Sequence, residues 1–323
     1  MNLKTKMEKV ISGSYGNSAG VVVRKGGRVI YENYWNGCTR DTAVHVFSVT
    51  KSIISLLIGI ALDNGAIHSV DEKILEFFPN YSVIKGEKTI QDITIRDLLT
   101  MTAPYKFKVE NYEKYFSNDN WVNASLDLLG GKEKIGTFRY APLIGPDILS
   151  GILVHSTGQS VLDFANKELF QPLDIKVDSS IIFHNKEEQL AFYKEKNVHG
   201  WVADPNGINT AGWGLNLTTM EMAKIGQLCA NNGMWNGKQV VSEKWLREST
   251  SKQSICDQLK LSYGYLWWIL DEKKHCFAAM GDGGNVIYVN AKNNMVISLS
   301  SLFVPNAKNR IKLIKEYIEP VFE

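Results

Sequence analysis

No two cysteines in this sequence are spaced C-x-x-C, and no histidines stand as H-E-x-x-H or four residues apart. The cysteines, Cys38, Cys229, Cys256 and Cys276, therefore read as free thiols of a reducing compartment, not as a disulfide framework or a zinc site. No metal and no cofactor is expected. Charge of one sign is also missing: 36 basic against 34 acidic side chains leave a net charge of +2. That balance gives no case for a nucleic-acid partner. The longest apolar run, 53–62, is broken by Ser55 and Gly59. It falls short of the roughly 18–20 residues that cross a bilayer, so no membrane span is expected. The opening stretch "MNLKTKMEKVISGSYG" lacks the apolar centre of a secretory signal, which makes a cytoplasmic location the expectation. Repeats and low-complexity segments are absent as well.

What is present is an ordinary globular composition, 44% hydrophobic and 22% charged, over 323 residues. "SAGVVVRKG" and "RVIYENYW" around Gly26-Gly27 predict a β-hairpin. A strongly apolar helix follows from Ser48. Thr94 and Thr218 are expected helix caps, Gly158 and Gly233 are expected stops, and a helix is expected to begin near Ser160. Residues 103–137 read as irregular, polar and aromatic, a length usually reserved for lids and binding loops. "KEEQLAFYKEK" reads as a solvated helix face. The C-terminal part returns to strand in "YGYLWWIL", "HCFAAMG", "NVIYVNAK" and "NMVISLSSLF", turns at Asn293-Asn294, and closes with a helix. This order predicts an α/β (α+β) fold. One antiparallel sheet is built from both chain ends and flanked by helices, with a mostly helical lobe inserted. A single domain over 1–323 is expected, its sheet lobe at about 1–45 and 260–323 and its helical lobe at about 70–250.

The chemistry centres on "HVFSVTKSIISLLIGIAL". Helical spacing puts Lys51 on the same face as Ser48, one turn away. A serine hydroxyl needs a base to become a nucleophile. Burial against Ile53, Ile54 and Leu57 would favour the neutral amine that can act as one. The helix start also offers backbone N–H groups for a developing oxyanion. The plainer reading is a Ser48 N-cap beside a solvated lysine, and S-x-x-K is common by chance. Tyr140, in "GTFRYAPLIGPDILSGILVHSTG", can shuttle protons or be a half-buried surface tyrosine. The glycine-rich "FAAMGDGGNVIYV" can supply a second oxyanion donor, the Asp282 N–H, or be simple turn chemistry.

Together these residues resemble the serine β-lactamase and penicillin-binding superfamily in its class C-like branch, close to aminohexanoate-oligomer hydrolases and related esterases. "SVTKS" matches S-x-x-K, and "ITIRDLLTMTA" resembles the stretch that follows it. "FRYAP…LSGILVHSTGQS…ELFQPLDI" resembles the tyrosine motif and its helix, and "WVADPNGINTAGWGLNLTTMEMAKIGQL" the region beyond. "YGYLWW" and "GDGGNVIYV" complete an order that spans residues 18–304. The resemblance implies Ser48 as nucleophile, Lys51 as base, Tyr140 as proton shuttle, and an oxyanion hole of the Ser48 and Asp282 N–H groups. Tyr105, Trp121, Pro142, Trp213, Met280, Gly281, Gly283 and Gly284 are the expected substrate contacts. The aromatic stretch from Tyr105 to Trp121 is expected to line or cover the cleft.

Two departures bear on substrate. Pro142 stands where the tyrosine motif usually ends in Asn. Ala279-Met280-Gly281 replaces Lys-Thr-Gly, whose cation and hydroxyl hold the carboxylate of a β-lactam. The expected partner is therefore a small ester or amide, with oligomeric state left open. A β-lactamase or D-alanyl carboxypeptidase is the first alternative, and a non-catalytic binding or sensor module on the same fold is the second.

Overall fold

Gly26 and Gly27 take φ of 56° and 81°, the left-handed backbone that a tight hairpin turn requires. Strand Ser18–Lys25 thereby folds back on Arg28–Tyr34, with Lys25 opposite Arg28. This is a computed structural model, and it describes residues 2–108 and 112–323. On its other side Ser18–Lys25 pairs with Met295–Ser301, which brings the two chain ends into one sheet. The antiparallel order continues through Asn285–Asn290, Cys276–Gly281, Trp268–Asp271 and Leu261–Tyr263 to an edge at Ser254–Cys256, making eight strands in all.

Alternation along these strands feeds two cores. Val286, Tyr288 and Ile297 join Met7, Ile11, Ile314 and Ile318 from the terminal helices on one face. Ile287, Val289 and Val296 join Ile53, Leu57 and Ile225 on the other. Helix Val49–Asp63 is buried on all sides from Val49 to Ala61, as its uniform hydrophobicity demands. The caps at Thr94, Ser160 and Thr218 form through their side chains, and Gly158 ends helix Ile144–Thr157 at φ 67°.

Several elements differ from the sequence expectation. Helix Leu3–Ser14 precedes the hairpin. Helices Tyr112–Phe116 and Trp121–Leu128 lie inside the stretch expected to be irregular, of which residues 109–111 fall outside the described residues. "YGYLWWIL" is broken between Tyr263 and Trp268, with Leu266 at φ 61°. Helix Thr219–Ala230 stops at the Asn231 C-cap, before Gly233. Among the described residues, no helix is long and apolar enough to cross a membrane, and no cluster of metal-ligating side chains occurs.

Candidate active site

Ser48 owes its position to a strained turn. Strand Ala43–His45 pairs with Asn216–Thr218, and the Val46 N–H donates to the Leu215 carbonyl. Phe47 then takes φ 50°, a left-handed conformation that costs a non-glycine residue about 1–2 kcal/mol. The Thr50 N–H and hydroxyl hold this turn by donating to the Phe47 carbonyl at 3.0 and 2.7 Å, and the Phe47 ring stacks on Phe303. Ser48 emerges at the head of helix Val49–Asp63, partly exposed between buried neighbours. Its hydroxyl makes no capping bond to the helix. Instead, Lys51 Nζ lies 3.1 Å from Ser48 Oγ.

Lys51 is 1% exposed, so the reading of a solvated lysine is excluded. Its Nζ donates to the carbonyls of Pro142 and Gly212, each at 2.6 Å. The Gly212 carbonyl reaches it because residue 212 has no side chain. A Cβ there would lie 2.6 Å from the Pro142 oxygen. Asp147, buried on helix Ile144–Thr157, accepts from the Ala211 and Gly212 N–H groups at 2.7 and 3.1 Å. It also accepts from the Tyr115 hydroxyl. Desolvation pushes the Asp147 carboxyl up to about 6, against the lowering effect of these bonds and of nearby Lys51. Tyr140 stacks on Trp268, and Lys51 Nζ is 5.3 Å from the centre of its ring.

The strand Cys276–Gly281 ends against the same turn. A Cβ on Gly281 would overlap the Val46 carbonyl and sit 3.2 Å from the Ser48 nitrogen. Only glycine permits this approach, which sets the Asp282 backbone beside that of Ser48. Buried Asn285 fastens the arrangement. Its Nδ2 donates to the Asp282 carbonyl at 2.9 Å and the His45 carbonyl at 3.3 Å, and its Oδ1 accepts from the Ser301 N–H. His45, with Nε2 accepting from the Gly214 N–H, is held down at about 3 by burial and stays neutral.

A cavity of about 780 Å³ opens over Ser48. Trp121, Pro142, Trp213 and Asp282 line it, together with Phe47, Phe116, Tyr193 and Phe303. Other expected contacts lie elsewhere. Tyr105 is buried beneath helix Ile144–Thr157, where a Cβ on Gly145 would overlap its hydroxyl, and Arg139 covers its ring. Met280 packs into the cores on both faces of the sheet. Gly283 supplies a turn at φ 74°, and Gly284 makes room for the Arg310 guanidinium. Of the aromatic stretch, Tyr112, Phe116 and Trp121 reach the cavity, while Phe107 packs under Arg139 and Tyr115 points to Asp147. Helix Lys186–Phe192, expected to be merely solvated, contributes Lys186, Gln189 and Leu190 to the cavity wall.

The antiparallel sheet and its helices form a β-lactamase-like fold, that of the serine hydrolase superfamily of β-lactamases, penicillin-binding proteins, esterases and amidases. Within it the chain belongs to the Beta-lactamase family, whose sequence profile matches residues 7–316. It is 21% identical over 310 residues to the 6-aminohexanoate-dimer hydrolase of Paenarthrobacter ureafaciens, covering 89% of this chain and 74% of the relative. Its fold is similar to a class C β-lactamase from Rhodobacter sphaeroides, with a TM-score of 0.73, 15% identity and 100% of each chain covered. It is also similar to a family VIII carboxylesterase, with a TM-score of 0.71 and 14% identity over 99% of this chain and 98% of that one.

Proposed function

We propose that the protein is a serine hydrolase that cleaves an ester or small amide through an acyl-enzyme on Ser48. The observation that carries this reading is the buried Lys51 Nζ 3.1 Å from an Oγ that is not used as a cap. A neutral lysine amine has two N–H bonds and one lone pair. Nζ lies within hydrogen-bond distance of Ser48 Oγ as well as of the Pro142 and Gly212 carbonyls, and the contact with Oγ is the one through which a neutral amine takes the serine proton. The Ser48 proton passes to Lys51 as Oγ bonds to the substrate carbonyl carbon. The negative charge that develops on the substrate carbonyl oxygen as its double bond opens is met by the N–H groups of Ser48 and Asp282. When the intermediate collapses, the bond to the leaving group breaks, and the Lys51–Tyr140 pair returns the proton to it. Water then repeats the sequence on the acyl-enzyme, releasing the acid and restoring Ser48.

The cavity favours a substrate with an apolar substituent, since aromatic rings dominate its walls. A β-lactam is disfavoured because Ala279, Met280 and Pro142 offer its carboxylate and amide neither cation, hydroxyl nor side-chain amide. Losing a charge-assisted bond costs about 1.5–3 kcal/mol, or roughly one to two powers of ten in affinity. Fluorophosphonate labelling of wild type and Ser48→Ala tests the nucleophile. Label on wild type alone supports it, and no label on wild type favours a non-catalytic module. p-Nitrophenyl acetate is expected to be hydrolysed with a higher kcat/KM than nitrocefin, and the reverse order would restore the β-lactamase reading.

A further inference from the structure

Asp147 stands at a junction that the hydrolytic reading does not require. It lies in the first turn of helix Ile144–Thr157 and is 2% exposed. Through Oδ1 it holds the Ala211 and Gly212 N–H groups, and Gly212 presents its carbonyl to Lys51. Through Oδ2 it holds the Tyr115 hydroxyl. Tyr115 is itself buried, while Tyr112, Glu113 and Phe116 of the same short helix line the cavity. One carboxylate thus joins the substrate-facing helix to the loop that holds the lysine. A buried carboxylate is costly unless its partners are all in place, and here both oxygens are engaged.

We infer that Asp147 is a positioning residue that sets Lys51 through the Gly212 carbonyl and couples it to the cavity wall through Tyr115. The inference rests on the proposed roles of Ser48 and Lys51. The titratable groups facing Asp147 are Tyr115 from helix Tyr112–Phe116 and Lys51 from helix Val49–Asp63. Asp204 acts on the same Tyr115 and accepts from the Trp121 N–H.

The test uses Asp147→Asn, Tyr115→Phe and the double variant in the full chain. Active enzyme is counted by fluorophosphonate titration, and the substrate is p-nitrophenyl acetate, which is too small to fill the wall. For Asp147→Asn we expect kcat to fall by up to about 100-fold, the loss that follows a small misplacement of a reacting group. KM should stay within about two-fold. The acid limb of kcat/KM should move to lower pH, because the neutral amide no longer stabilises the Lys51 ammonium. A residue that only supports the fold would leave that limb in place. Tyr115→Phe should lower kcat less, and the double variant should be no worse than Asp147→Asn alone. Wild-type kcat and an unmoved acid limb in Asp147→Asn would overturn the inference. If Asp147→Asn does not fold, Tyr115→Phe decides the matter: reduced kcat at unchanged KM supports the coupling, and wild-type kcat refutes it. Ser48→Ala separates the two levels. Should it keep hydrolysis, the catalytic reading itself fails. Should it lose hydrolysis while both other variants behave as wild type, only the role of Asp147 fails.

Discussion

Ser48 and Lys51 lie one turn apart, yet truncating each is expected to affect stability very differently. Ser48 is partly exposed and its hydroxyl caps nothing, so Ser48→Ala removes no bond the helix needs. Its stability should stay within about 0.5 kcal/mol of wild type. Lys51→Ala removes a buried stem and the partner of two carbonyls. An orphaned buried carbonyl costs about 1–3 kcal/mol. The Gly212 carbonyl sits in a buried setting and bears that cost, whereas Pro142 is only partly buried and water can reach its oxygen more readily. A loss of about 2–4 kcal/mol follows. Urea denaturation reads both values, and p-nitrophenyl acetate hydrolysis reads activity. Hydrolysis should fall about 10⁴-fold or more in Ser48→Ala and about 10²–10⁴-fold in Lys51→Ala. Two results would refute the reasoning. A Ser48→Ala variant destabilised by more than about 1 kcal/mol would mean that the hydroxyl holds the turn. A Lys51→Ala variant as stable as wild type would mean that the carbonyls do not depend on the lysine.

Three further outcomes are expected. Lys51→Ala and Tyr140→Phe should be non-additive in kcat, because groups serving one proton transfer are not independent, and a double loss equal to the product of the single losses would argue against it. Gly281→Ala should lower kcat at least ten-fold and stability by about 1–3 kcal/mol, since its Cβ would overlap the Val46 carbonyl beside Ser48; unchanged kinetics would show that the turn yields freely. The folded Asp147 carboxyl at about 6, against an ordinary 3.8, gives a stability contribution that is full below about pH 4 and lost as pH rises through 6, a span worth about 3 kcal/mol. The stability difference between wild type and Asp147→Asn should therefore change by about that amount between pH 4 and pH 8, with the variant favoured at the higher pH; a pH-independent difference would contradict it.

The features that could be read from the sequence are those whose chemistry is local. Gly26-Gly27 fixes its hairpin through its own dihedrals, and Thr94, Ser160 and Thr218 bond to groups three residues on. The Ser48 helix announces itself by dense hydrophobicity, interrupted over residues 53–62 at Ser55 and Gly59 alone. Helix Leu3–Ser14 buries only Met7 and Ile11, too few apolar positions to mark a period. Helix Tyr112–Phe116 is barely more than one turn, so it has no period at all. Asp147 carries no local signal, since its partners lie 32, 64 and 65 residues away. Aromatic content marked the stretch from Tyr105 to Trp121 as a wall but gave no means of separating Phe116, which lines the cavity, from Tyr105, which lies beneath a helix.

The same distinction between local and distant information bears on substrate choice. Along the strand Cys276–Gly281, Ala279 is 1% exposed and faces the core around Ile53, while Met280 is taken up by the cores of both faces. No side chain of that strand lines the cavity, and Gly281 admits only backbone contact beside Ser48. Under the proposed reading, the strand can offer a substrate N–H groups but no charge. Polar discrimination then falls to Asp282 and to Glu113, His184, Lys186 and Gln189, which line the cavity from short helices and their flanking turn. Those elements pack largely through aromatic side chains such as Phe116, Phe183 and Tyr193 against Trp213. Their polar residues are therefore free to differ without disturbing the Ser48 turn, which is held by Thr50, Asn285 and the backbone of Leu215. Under the same proposed reading, a catalytic pair at the head of the buried helix Val49–Asp63 and recognition groups on short helices would let one hydrolytic centre serve substrates that differ in charge.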